Sequence, residues 1–98
     1  MPYIKQDKRL LFDSFIKELT LQLLEIHRFI DSRQLGGNLN YIISKIIFGL
    51  CDKNKGCELS YVLINDIIGA LENCKLEFTR RITIPYEDTK IKDNGDII

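Results

Sequence analysis

The sequence predicts an all-α fold: a single domain of three helices with an ordered, extended C-terminal arm. Apolar residues recur at alternating spacings of three and four in three segments of the 98-residue chain. Turn-forming residues separate these segments, and Pro85 separates the last of them from a polar tail. An apolar fraction of 45% and a charged fraction of 29% are typical of a folded globular domain.

The first helix is predicted over about residues 7–32, where neither Pro nor Gly occurs. Its apolar seam is spaced 4, 3, 4, 3 and 4, and it consists of Phe12, Ile16, Leu19, Leu23, Ile26 and Ile30. Leu11, Phe15 and Leu24 widen this stripe, as expected for a helix that packs on more than one neighbour.

The second helix is predicted over about residues 38–51, after the sequence QLGG. Asn38 is the expected N-cap, because its side-chain oxygen can accept from the first free backbone amides. The seam repeats the same spacing with Leu39, Ile43, Ile46 and Leu50. Since its other faces are apolar too, we expect this helix to be the most buried one.

A turn over residues 52–56, in which Gly56 can take a positive φ, leads to a third helix over about residues 60–83. Ser60 is its expected N-cap. Its seam is formed by Ile64, Ile67, Leu71, Cys74 and Phe78. We expect Gly69, which lies inside this helix, to allow close approach of another helix.

Residues 84–98 are predicted to form the extended arm, because Pro85 disfavours a helical conformation at the residue before it. A turn is expected at Asn94 and Gly95. The arm also carries apolar side chains that could dock it on its own domain or on a neighbouring subunit, namely Tyr86, Ile91, Ile97 and Ile98.

All three helices carry more apolar surface than a bare three-helix bundle requires. We therefore expect homo-oligomerisation through helices, with a monomeric bundle of wide apolar stripes as the alternative.

Fourteen Lys and Arg balance fourteen Asp and Glu, and the charges are mixed along the chain, so nucleic-acid binding is not expected. The longest apolar run, residues 46–51, is too short to cross a membrane.

The cysteine content predicts a reducing, cytoplasmic location. The three cysteines Cys51, Cys57 and Cys74 are an odd number, and no basic and apolar signal segment precedes them. Together with the lone His27 they lack the spacing of a zinc site. We therefore predict neither a metal nor a cofactor.

The sequence does not favour an enzyme. His27 lies on the polar side of the first helix with no serine or cysteine tied to it, so it is expected at the surface. The alternative is a metal-dependent nucleotide-processing enzyme, with Glu72, Glu77 and Asp88 as its carboxylates.

The best cluster of polar residues lies at the end of the third helix. Glu77 pairs by position with Arg80 at i,i+3 and with Arg81 at i,i+4, which is typical of a solvated helix face. A second interpretation is a ligand site in which Arg80, Arg81 and Lys75 hold a phosphate or carboxylate and Tyr86 stacks on a base. Salt bridges between subunits are the third.

Several motifs, taken together, resemble an uncharacterised family of short bacterial and phage proteins, catalogued as a domain of unknown function. They are MPYIKQ at 1–6, NLNY at 38–41, SY at 60–61, NDIIGALE at 65–72, KLEF at 75–78, RR at 80–81, PYED at 85–88 and NGD at 94–96. The resemblance spans nearly the whole chain and implies a fold and a mobile-element setting, without a reaction.

These observations predict a non-catalytic, small helical binding protein, encoded by a phage or mobile element. It would sequester a small anionic, nucleotide-like ligand through Arg80, Arg81, Lys75 and Tyr86, or block a host protein. A purely structural homo-oligomer is the further alternative.

Overall fold

The computed structural model describes residues 3–56 and 58–98. Every regular element in these ranges is helical, which confirms the all-α class. The predictions that involve Met1, Pro2 and Cys57 lie outside the described residues. The chain divides into two compact units, Ile4–Ser60 and Tyr3 with Tyr61–Ile98. The expectation of one domain stays a prediction.

The first predicted helix is divided in two: α1 spans Gln6–Arg9 and α2 spans Asp13–Phe29. Between them the amides of Leu11 and Phe12 bond to carbonyls three residues back, at 3.3 and 3.0 Å, so the chain makes a tighter turn there. The Arg9 Nε donates to the Ile4 carbonyl at 2.9 Å and ties the entry of α1 to this turn.

The second helix, α3, spans Leu35–Leu50 and begins before the predicted N-cap Asn38. Asp31 makes the earlier start possible. Its Oδ1 accepts from the Arg33 amide at 2.9 Å and starts a 3-10 turn, Ser32–Gln34, that runs directly into α3. Gly36 and Gly37 therefore lie within the first turn of α3, where backbone amides need no intrahelical partner.

The helices α2 and α3 form a hairpin through this 3-10 turn. Leu23 and Ile26 of α2 and Ile42 of α3 are half-buried. No residue of α3 is fully buried, although only one of its sixteen residues is charged. The turn after α3 agrees with the prediction: Asp52 Oδ1 accepts from the Asn54 amide at 2.9 Å, and Gly56 has a φ of 87°.

In the other unit, α4 spans Tyr61–Phe78 and begins directly after the predicted cap Ser60. A π-helical turn, Thr79–Thr83, follows, and α5 spans Ile84–Asn94. A methyl group on Gly69 would meet no described atom within 4 Å, so the expected close approach of another helix is not found within this unit.

The prediction of an extended arm after Pro85 is wrong, because most of residues 84–98 belong to α5. Pro85 lies in the first turn of α5, a position that tolerates proline. The Ile84 amide bonds to the Thr79 carbonyl five residues back. Because of this wider turn, the helix continues through the proline instead of ending before it. The helix ends at Gly95, with a φ of 90°, and Ile97 and Ile98 are fully exposed.

Candidate functional site

Four side chains meet where α4 enters the π-helical turn, and we call them the Glu77 cluster: Tyr3, Glu77, Arg80 and Arg81. The Tyr3 hydroxyl donates to Glu77 Oε1. Arg80 Nη2 donates to the same oxygen at 2.6 Å, and Arg81 Nε lies 3.8 Å from it. Arg81 Nη1 in turn donates to the Tyr3 hydroxyl at 3.3 Å. Two groups thus donate to one carboxylate oxygen, and Arg81 forms an ion pair with the same oxygen.

The local backbone places Glu77 in the last turn of α4 and both arginines in the π-helical turn. Thr79 lies between them and donates its hydroxyl to the Lys75 carbonyl at 2.8 Å, which anchors the start of that turn. π-helical turns of this kind occur frequently at functional sites, since they displace side chains from the regular helical positions.

The electrostatics of the cluster favour a charged Glu77. Its pKa is lowered from the usual 4.5, first by the hydrogen bond from Tyr3 and then by that from Arg80, with smaller help from the charges of Arg80 and Arg81. The same hydrogen bond from Arg80 to Glu77 raises the pKa of the guanidinium. Two cations against one carboxylate leave the cluster with an excess positive charge.

Exposure differs sharply between the members of the cluster. The side chain of Glu77 is 23% exposed, whereas those of Arg80 and Arg81 are 66% and 61% exposed. Both guanidinium groups therefore stay accessible from solvent while the carboxylate lies beneath them. Such an arrangement can hold an anionic oxygen, because charged donors bind carboxylates and phosphates strongly.

The other two predicted contact residues have partners of their own. Lys75 Nζ lies 3.8 Å from Glu72 Oε1, one turn before the cluster. Lys90 Nζ lies 5.3 Å from the centre of the Tyr86 ring on α5. The structure thus joins Arg80 and Arg81 through Glu77, and it places Lys75 and Tyr86 in separate pairs.

Comparison with known proteins gives a family and no activity. The family described as a domain of unknown function, DUF6899, matches residues 1–97. The chain belongs to this family. No curated protein and no solved structure matches it. The functional argument for this DUF6899 chain therefore depends on the geometry of its own residues.

The sequence offered little signal for Tyr3, the member of the cluster that was missed. It lies 74 residues from Glu77, so no helical spacing connects the two. Its only mark was its place in the N-terminal segment MPYIKQ, one of the motifs on which the predicted family resemblance depends.

Within 3–56 and 58–98 no group of three or more His, Cys, Asp or Glu could hold a metal ion. Cys51 and Cys74 are free thiols. No helix in the described part of the chain is long and apolar enough to span a membrane.

The α2–α3 hairpin contains an open, mainly apolar cavity of about 200 Å³, lined by Leu19, Gln22, Leu23, Ile26, Asn38, Tyr41 and Ile42. Nearby on α2, His27 is half-buried, so its expected surface position is wrong. Its Nδ1 is shielded from solvent and has no hydrogen-bond partner among residues 3–56 and 58–98. A cavity of this volume fits one aromatic ring or one branched aliphatic side chain.

Proposed function

We propose that the protein is a non-catalytic helical binding protein whose Glu77 cluster holds one anionic group of a small ligand. The observation that supports this proposal is the convergence of Tyr3, Arg80 and Arg81 on a single carboxylate oxygen. Glu77 Oε1 occupies the position that a phosphate or carboxylate oxygen of the ligand would take. We propose a small anion, such as a nucleotide, as the ligand.

To bind, the ligand must either displace Glu77 from Tyr3, Arg80 and Arg81 or accept hydrogen bonds from these residues alongside Glu77. Each guanidinium has five N–H groups in a fork that matches two oxygens of a phosphate, and the contact with Glu77 uses Arg80 Nη2 at 2.6 Å. A phosphate dianion carries more charge than one carboxylate, so it gains more from two cations. Lys75 and Tyr86 stay predicted contacts to the rest of the ligand.

The test is a calorimetric titration with inorganic phosphate and with adenosine monophosphate. Arg80→Gln and Arg81→Gln should each weaken binding roughly tenfold or more, because each removes a charge-assisted hydrogen bond. Glu77→Gln should strengthen binding, because it removes the competing charge. Arg33→Gln is the matched control, since Arg33 is an exposed arginine paired with Asp31 on the α2–α3 hairpin.

Two outcomes would overturn the proposal. In the first, neither the natural protein nor Glu77→Gln binds either anion. In the second, Arg33→Gln weakens binding as much as Arg80→Gln and Arg81→Gln do. Native mass spectrometry of protein purified from cells adds an independent readout, because a retained anionic mass that is lost in Arg80→Gln would identify the natural ligand.

We also propose that the protein acts as a homo-oligomer. No residue in 3–56 or 58–98 is fully buried, and large apolar side chains are exposed on α2, α3, α4 and α5. Folding must offset a conformational entropy cost of about 1–2 kcal/mol per residue, which requires apolar burial. Helices of a second copy that cover these exposed faces supply the required apolar burial. Sedimentation equilibrium of the natural protein tests this proposal, and a monomer at all concentrations would refute it.

A further inference from the structure

The contacts of the Glu77 cluster meet at one oxygen of the carboxylate. Tyr3 and Arg80 donate to Glu77 Oε1, and Arg81 Nε lies 3.8 Å from the same atom. In the usual bidentate pair between an arginine and a carboxylate, two parallel N–H groups of one guanidinium bind the two oxygens. The contacts in the Glu77 cluster come from three separate side chains, and this arrangement differs from the bidentate fork that a carboxylate fits best.

The cluster also offers more donors than one carboxylate can use. A carboxylate has two oxygens with about four acceptor positions, whereas each guanidinium alone has five N–H groups. A phosphate monoester has three terminal oxygens and a charge of about −1.5 to −2 at pH 7. This charge matches the two cations Arg80 and Arg81 once Glu77 is displaced. The number of donors and their charge therefore suit a phosphate better than a carboxylate.

Tyr3 supplies the third donor group of the cluster. Arg81 Nη1 donates to its hydroxyl oxygen at 3.3 Å, so the hydroxyl proton is left for a different acceptor, which in this structure is Glu77. Tyr3 belongs to the same compact unit as α4 and is 48% exposed. A ligand that displaces Glu77 therefore meets this hydroxyl together with both guanidinium groups.

We infer that the Glu77 cluster selects a phosphate monoester over a carboxylate, and that Tyr3 determines this selectivity. The inference rests on the proposed anion site, and it adds the class of anion and the residue that recognises it. Arg80 and Arg81 bind two terminal oxygens of the phosphate, and Tyr3 donates to the third. With a carboxylate, the two guanidinium groups already satisfy both oxygens, so the hydroxyl of Tyr3 contributes little.

The experiment compares three ligands that share adenosine and differ in the anionic group. Adenosine monophosphate carries a monoester dianion, cyclic adenosine monophosphate a diester monoanion, and adenosine 5′-carboxylate a planar carboxylate. In calorimetric titrations the natural protein should bind the monophosphate roughly thirtyfold more tightly than the other two, or more. Tyr3→Phe should reduce this preference roughly tenfold, because it keeps the ring and removes one hydrogen bond to a charged oxygen.

Tyr61→Phe is the matched control, because Tyr61 is 85% exposed at the start of α4 and lies outside the Glu77 cluster; it should leave the preference unchanged. Charge alone would also favour the dianion, but that preference would persist in Tyr3→Phe, and its persistence overturns the inference. Equal affinities for the monophosphate and the carboxylate overturn it too, while the proposed anion site stands. If none of the three ligands binds to the natural protein or to Glu77→Gln, both the anion site and this inference are wrong.

Discussion

The hydroxyl of Tyr3 donates a hydrogen bond to the carboxylate of Glu77, a residue 74 positions further along the chain. This bond is the largest cause of the lowered pKa of Glu77. It fixes Tyr3 beside α4 and places its hydroxyl within reach of Arg81. One tyrosine thus completes a cluster whose other members lie within five residues of each other.

Tyr3→Phe should raise the pKa of Glu77 toward 4.5, because the ring is retained while the hydrogen bond is lost. The measurement is a carbon-detected NMR titration of the Glu77 carboxyl in both proteins. Tyr86→Phe is the control, since the contact between Tyr86 and Lys90 involves the face of the ring and not Glu77. An unchanged Glu77 titration in Tyr3→Phe would show that the hydroxyl does not reach the carboxylate in solution.

Acidification should remove the stabilising contribution of Glu77. Its pKa is lowered in the folded protein, so the contribution is fully present above the unfolded value of about 4.5 and is lost as the pH falls through the lowered folded value. The difference in melting temperature between the natural protein and Glu77→Gln should therefore shrink from neutral pH to about pH 2. Glu58→Gln is the control, because it also removes one negative charge but lies outside the Glu77 cluster. A difference that grows on acidification would contradict this prediction.

Gly69→Ala should stabilise the protein by about 1 kcal/mol, because alanine favours a helix interior and a methyl group there meets no atom within 4 Å. Gly56→Ala provides the opposite case: its φ of 87° strains any residue with a Cβ, so we expect a loss of about 1 kcal/mol. Urea unfolding of the two variants and the natural protein measures both effects. If Gly69→Ala destabilises the protein, a helix of another copy packs closely against this position.

Local patterns predicted the parts of the fold that depend on neighbouring residues. The alternating three and four spacing located α2, α3 and α4, because burial selects one face of a helix. Gly56 was correctly predicted at a positive φ, since few other residues adopt it readily. The i,i+3 and i,i+4 positions of Arg80 and Arg81 relative to Glu77 likewise indicated the contacts that are found.

The errors arose where two local signals competed. Pro85 was interpreted as the end of a helix, although a proline is equally compatible with the first turn of the next one. The segment after it also contains helix-favouring charge spacings, Glu87 with Lys90 and Asp88 with Lys92. Before α3, Asp31 caps the 3-10 turn that runs into the helix, and Asn38 lies inside α3 instead of capping it. The contact of Tyr3 with Glu77 is nonlocal, and no spacing could have predicted it.

Pro85→Ala should change the positions of Arg80 and Arg81 relative to Glu77, although Pro85 itself lies outside the Glu77 cluster. Proline has no N–H for the carbonyl of Arg81 four residues back, and its ring clashes with that carbonyl in a regular α-helix. The π-helical turn at Thr79–Thr83 widens the backbone at this point. With alanine, the turn can tighten to regular α-helix, which rotates Arg80 and Arg81 relative to Glu77.

The expected result is a higher pKa for Glu77, with helical content unchanged or increased, measured by carbon-detected NMR and circular dichroism. Thr83→Ala is the matched control, because it changes a side chain within the π-helical turn and leaves the backbone donors in place. A Glu77 pKa that is equal in Pro85→Ala and in the natural protein would mean that the proline does not control the cluster. The position of the two arginines would then be set by their own contacts with Tyr3 and Glu77.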